Sequence, residues 1–96
     1  MSSEQRLEQR LVQGVKRLGG IAIKFEPPGW AGAPDRILLL PGGRTMFVEV
    51  KAPGQRPRAL QRYRAEQLQA LGFATYVVAS DADLAYVLGE ASGDAV

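Results

Sequence analysis

Apolar positions recur every three to four residues at the start of the chain, at Leu7, Leu11, Val15 and Leu18. That spacing predicts an amphipathic helix, with Ser2 or Ser3 as its cap and Gly19-Gly20 as its end. The period then shortens. "IAIKFE" (21–26) reads as a strand, and "PPGWAGAP" (27–34) as a loop forced by its prolines and glycines. "RILLL" (36–40) and "TMFVEVK" (45–51) are two further strands joined by "PGG". After the loop "APGQRP" comes a second helix over 58–71, stopped by Gly72. "FATYVVAS" (73–80) is β-branched and aromatic, hence a strand, and "DADLAYVLG" (81–89) is a short helix with an Asp N-cap. The order is α-β-β-β-α-β-α, an α/β fold with a small mixed sheet flanked by helices. Residues 45–80 form its parallel crossover. A single domain spans 1–90, and residues 91–96 are expected to fray.

The two central strands carry charges that an apolar strand should avoid, because a buried charge is costly without a partner. Pro41 suits the first corner of a type I turn and Gly43 the left-handed position closing a three-residue loop. That loop pairs Leu40 with Arg44 and, counting outward, Asp35 with Glu49. Paired residues point to one face with Cβ atoms about 5 Å apart. Strand alternation adds Lys51 to that face. Two carboxylates so close repel unless a cation lies between them, and oxygen ligands suit a hard ion, Mg²⁺ or Mn²⁺. Lys51 would then orient an attacking water or stabilise charge on a phosphate. Taken alone, Glu49-x-Lys51 reads as a surface ion pair on an edge strand; Asp35 in matched register favours the metal site.

Composition narrows the chemistry further. The 96 residues include no cysteine and no histidine, which excludes disulfides, thiol nucleophiles, zinc sites built on Cys or His and Ser-His-Asp triads. Lack of cysteine fits a cytoplasmic protein, and no apolar run is long enough to span a membrane. The net charge of +2 is unevenly spread: residues 1–72 hold all 12 basic residues and six acids, and residues 73–96 hold four acids and no base. So basic a surface suits a polyanion such as nucleic acid. Arg56, Arg58, Arg62 and Arg64 follow the charged strands directly, as backbone-binding residues would. Lys24 joins them if its strand neighbours the hairpin. Arg36 should face away from Asp35, in a structural role. Trp30 is a candidate base-stacking or interface residue.

Pro34-Asp35 with Glu49-x-Lys51 resembles the PD-(D/E)xK nuclease superfamily. Glu8, Gly19-Gly20, Lys24-Phe25, Pro28-Gly29 with Gly32, "PGGRTMFVEVKAPGQ" and Gln61 extend the likeness to the VRR-NUC (virus-type replication–repair nuclease) family over residues 4–80. The resemblance implies a restriction-endonuclease-like fold and a Mg²⁺- or Mn²⁺-dependent deoxyribonuclease. Asp35, Glu49 and the Val50 carbonyl would be metal ligands, Lys51 the catalytic lysine, and Gln61 a partner of the water or of Lys51. A helix acid completes the set. Glu4 and Glu8 both qualify by position, and Glu8, among Leu7, Leu11 and Val12, is preferred. The resemblance further implies a phage-encoded homodimer acting on branched DNA. Two other classes compete: a non-catalytic DNA-binding module of the same fold, and a metal-independent interaction protein.

Overall fold

The computed structural model describes residues 1–93. Ser2 starts helix α1 (Ser3–Arg17) by a reciprocal cap. Its hydroxyl accepts the Gln5 amide at 3.1 Å, and the Gln5 side chain accepts the Ser2 amide at 2.9 Å. Four strands follow as one sheet in the order β1 (Ile21–Lys24), β2 (Arg36–Leu39), β3 (Thr45–Val50) and β4 (Ala74–Val78). The first two pairings are antiparallel and the third is parallel. Helix α2 (Ala59–Ala70) makes the crossover to β4, and α3 (Asp81–Ser92) closes the chain.

The hairpin has the register derived from its turn. Leu40 donates its amide to the Arg44 carbonyl at 2.9 Å, and Arg36 lies opposite Val48. The turn type differs from expectation. Gly42 has φ 78° and ψ 11°, the second corner of a type II turn, and Gly43 is also left-handed. With two consecutive glycines the chain takes both left-handed positions without side-chain strain.

Strand alternation divides the sheet. Leu38, Met46, Val48, Val50 and Val78 face α1 and α3, where Leu7, Leu11, Val15, Leu84 and Val87 bury them in one core. Ile37, Phe47 and Glu49 face the other way, and α2 covers only the β3–β4 side of that surface. Phe25, Phe47 and Phe73 form a row across it, with ring centroids 5.2 and 5.4 Å apart.

Three local expectations are revised. The strands are shorter at their ends than the apolar runs, β1 covering Ile21–Lys24 and β4 covering Ala74–Val78. Helix α3 is capped by Ser80, whose hydroxyl accepts the Asp83 amide at 3.0 Å, and not by Asp81. The helix also runs on to Ser92. There Arg44 donates to the carbonyls of Glu90 and Ala91 at 2.7 and 2.9 Å, holding the end that was expected to fray. Residues 94–96 of that expected tail lie outside the described residues.

The loop before β2 positions Pro34 and Asp35. At Gly32, with φ +83°, an added Cβ would stand 2.6 Å from Leu60 Cγ, so only glycine lets the loop lie against α2. Arg64 fastens it, donating to the Ala31 carbonyl at 2.8 Å and stacking on Trp30 at 4.9 Å.

Burial predicts the mutational response. Leu11→Ala, in the fully buried row of α1, should lower unfolding free energy by about 2–5 kcal/mol in urea titration. Leu71→Ala, 75% exposed, should change it by less than about 0.5 kcal/mol.

Candidate active site

The site lies at the end of the sheet where β2 begins and β3 finishes. Glu49 is the only buried charged residue among those described, 7% exposed. Its Oε2 atom takes two donors: Gln61 Nε2 at 2.7 Å and Lys51 Nζ at 3.3 Å. Its Oε1 atom is buried without any hydrogen-bond partner. Native structures seldom leave such an atom unsatisfied, because its desolvation is uncompensated. Asp35, one cross-strand step away by the hairpin register, uses Oδ2 to accept the Val50 amide at 2.8 Å.

Both carboxyl groups are displaced from their ordinary acidity. Burial pushes Glu49 up to about 7, and the charge of Asp35 adds to the effect while Lys51 opposes it. Asp35 is also raised, first by burial and then by the charges of Glu8 and Glu4; the Val50 amide and Lys51 pull the other way. Two acids that resist ionisation together, one with an orphaned oxygen, make a donor set suited to a hard divalent cation.

Gln61 reaches the site from the first turn of α2. Its Oε1 accepts the Arg58 amide at 2.8 Å while its Nε2 holds Glu49. One side chain therefore caps the helix and fixes the carboxylate. Arg58 stands where a capping box would carry Ser or Thr, so no cap signature in the sequence pointed to this contact. The Asp35–Val50 amide bond had no sequence signal, since it arises from the twist of chain entering β2.

Other candidates are placed differently. Glu8 accepts Arg36 Nε at 2.8 Å, and Arg36 also donates to the Ala22 carbonyl. Arg36 thus points away from Asp35 and ties α1 to the sheet. Among the described residues no three acidic side chains gather as a ligand cluster, so Glu8 stands near Asp35 without joining it. Glu4 acts on Asp35 only as a more distant charge. Lys24 pairs across β1–β2 with Arg36 and shares its face, lining a groove with Gln5 and Glu8. Arg56 and Arg58 are exposed and form no ion pair among the described residues. Arg62 donates to the Pro57 carbonyl at 2.7 Å. Arg64 is committed to Ala31, Gln67 and Trp30, which makes it a clamp for the loop.

No family model matches the sequence. A phage protein called "Putative nuclease p44", from Acyrthosiphon pisum secondary endosymbiont phage 1, is 45% identical over 85 residues, covering 88% of this chain and 90% of that protein. A solved structure titled "VRR_NUC domain" superposes with a TM-score of 0.87 at 29% identity, over 93% of this chain and 97% of the other. The chain belongs to the VRR-NUC family. Its four-stranded mixed sheet and α-β-β-β-α-β-α order are those of the VRR-NUC fold. Within that VRR-NUC frame, Asp35, Glu49, Lys51 and Gln61 are the polar groups that meet at one end of the sheet.

The raised pKa of Glu49 sets a pH dependence. Its folded value of about 7 lies above the reference of 4.5, so folding favours the protonated form. That contribution is complete below the reference value and lost as pH rises through the folded one. Metal-free protein should therefore be more stable at about pH 5 than at about pH 8 by a few kcal/mol from this group. Urea midpoints in chelator should show the fall, and Glu49→Gln should largely flatten it.

Proposed function

We propose that the protein is a divalent-cation-dependent deoxyribonuclease, active as a homodimer on branched DNA. The observation that carries this reading is the state of Glu49: one oxygen held by Lys51 and Gln61, the other buried and unpartnered beside Asp35. Glu49 Oε1 and Asp35 would hold Mg²⁺ or Mn²⁺, with the Val50 carbonyl as a third ligand. When bound, such an ion supplies Lewis acidity toward a phosphoryl oxygen and a lowered pKa for the attacking water. Gln61 and Lys51 keep Oε1 turned toward the ion by occupying Oε2. The Lys51 ammonium then lies beside the reacting phosphate, where it orients the nucleophile and offsets developing charge. Glu8 can enter the ligand set only by exchanging Arg36, so we place it one step behind Asp35.

Nucleic acid as the substrate is supported by the nuclease named as a relative and by the exposed Arg56 and Arg58 next to the site. They would contact phosphates without reading sequence. The homodimer is supported by an apolar surface on the sheet face that α2 leaves open. Ile21, Ile23, Leu39 and Phe73 are all exposed there, and contiguous apolar patches of this kind mark association surfaces. No described helix is long and apolar enough to cross a membrane. A phage-encoded protein acting in the host cytoplasm fits the relative's source.

Calorimetric titration with Mn²⁺ should find an acidic site in the wild type and none in Asp35→Asn or Glu49→Gln. Lys51→Ala should retain Mn²⁺ and DNA binding but lose cleavage of flapped and four-way DNA. DNA bound with and without Mn²⁺, but never cut, would support the non-catalytic module instead. Sedimentation should give a dimer that Ile23→Asp converts to monomer. DNA affinity should fall steeply with added salt as phosphate counterions are released.

A further inference from the structure

A groove of about 410 Å³ runs from Glu49 along the seam between α2 and β4. Its size is at the low end for ligand sites. Pro57, Ala65 and Val77 line it, and Gln61 and Gln69 mark its two ends. Val77 is 42% exposed although it lies mid-strand, because α2 passes beside it without covering it. We infer that this groove receives an unpaired nucleobase next to the scissile phosphate, so that the enzyme cuts where DNA has a base free of its partner. The inference rests on the nuclease reading and specifies its substrate.

Charge decides which part of a nucleotide enters. Glu49 and Glu66 both line the groove, and Arg62, the one cation among the described residues that line it, is already donating to the Pro57 carbonyl. A phosphate beyond the proposed cation would meet Glu66 with no free cation to offset it. A flat, neutral base meets apolar walls, which is how extruded bases are held. The backbone has its own place outside. Arg56 and Arg58 are exposed and flank the groove-lining Pro57 along the chain, so phosphates held by them would lie outside the groove. At the far end Gln69 donates its amide to the Thr75 hydroxyl. Its carboxamide oxygen has no partner among the described residues, so it can accept a base amino group. Glu49 itself lines the groove, so a base inside it leaves the adjoining phosphodiester within reach of the proposed cation.

Fully paired DNA cannot supply such a base without first unstacking and unpairing it, at a cost of a few kcal/mol. Flaps and junctions supply it freely. Stacking of one base on an aromatic ring changes rate or affinity by about 5- to 150-fold, and Tyr76 lines this groove.

The test fills the groove. Ala65→Phe should slow Mn²⁺-dependent cleavage of a flapped substrate by about ten- to a hundredfold. Calorimetric Mn²⁺ binding and the melting temperature should stay at wild-type values. Gln69→Leu, on an exposed rim position, should shift base preference beside the cut in a flap library, and this carries the test if Ala65→Phe fails to fold. A folded Ala65→Phe variant that cuts flaps at the wild-type rate would overturn the inference. So would wild-type protein that cuts fully paired duplex as fast as flapped DNA, or Gln69→Leu with unchanged preference. Wild-type protein that binds no Mn²⁺ and cuts nothing overturns the nuclease reading first, and this inference with it.

Discussion

Leu40 donates its amide to the Arg44 carbonyl across Pro41-Gly42-Gly43, and every pairing along the hairpin is counted from that bond. A turn one residue shorter would slide the partner strand and send its side chains to the opposite face. Glu49 would then enter the core between α1 and α3, where nothing could neutralise it. With the register as it stands, Val48 and Val50 are buried in the core and Glu49 lies on the other side beside Asp35. The same count that satisfies the hydrophobic core therefore sets two acids together. Burial raises both; the charge of Asp35 adds to the effect on Glu49, which reaches about 7, and the charges of Glu8 and Glu4 add to the effect on Asp35. Such a pair is a strain on the metal-free fold and a ready site for a cation.

Around that pair the molecule divides its cations by task. Lys51 and Gln61 share one oxygen of Glu49 and so determine which oxygen remains open. Arg36 joins α1 to the sheet through Glu8, Arg44 closes the end of α3, and Arg64 holds the loop that delivers Asp35. A positive sequence segment is thus not one binding surface. Three of its arginines hold the architecture that points the acids, and the exposed Arg56 and Arg58 are left for a polyanion.

Much of this was legible in the residues. The element order follows from periodicity and from Gly and Pro punctuation, and the 35–49 pairing follows from counting outward from a three-residue turn. What escaped were features set by tertiary contact. Nothing local told that Arg64 would stack on Trp30, that Arg44 would reach the carbonyls of α3, or that Glu8 would be claimed by Arg36. An arginine in sequence is only a long cation, and its partner is chosen by the packing of distant elements. The turn type escaped for a different reason: two adjacent glycines permit several left-handed combinations, and composition does not select among them.

The order in which the site's parts leave the ribosome has a consequence of its own. Asp35, Glu49 and Lys51 emerge together on one hairpin, but Gln61 follows on α2, and the neighbour that braces β3 on its far edge is β4. A lone hairpin is marginal in water. The acids therefore gain a durable arrangement only after the crossover has been synthesised and docked. Nascent chains that stop short of the crossover would carry the proposed catalytic residues without the scaffold that arranges them, so the proposed hydrolysis waits on synthesis of α2 and β4.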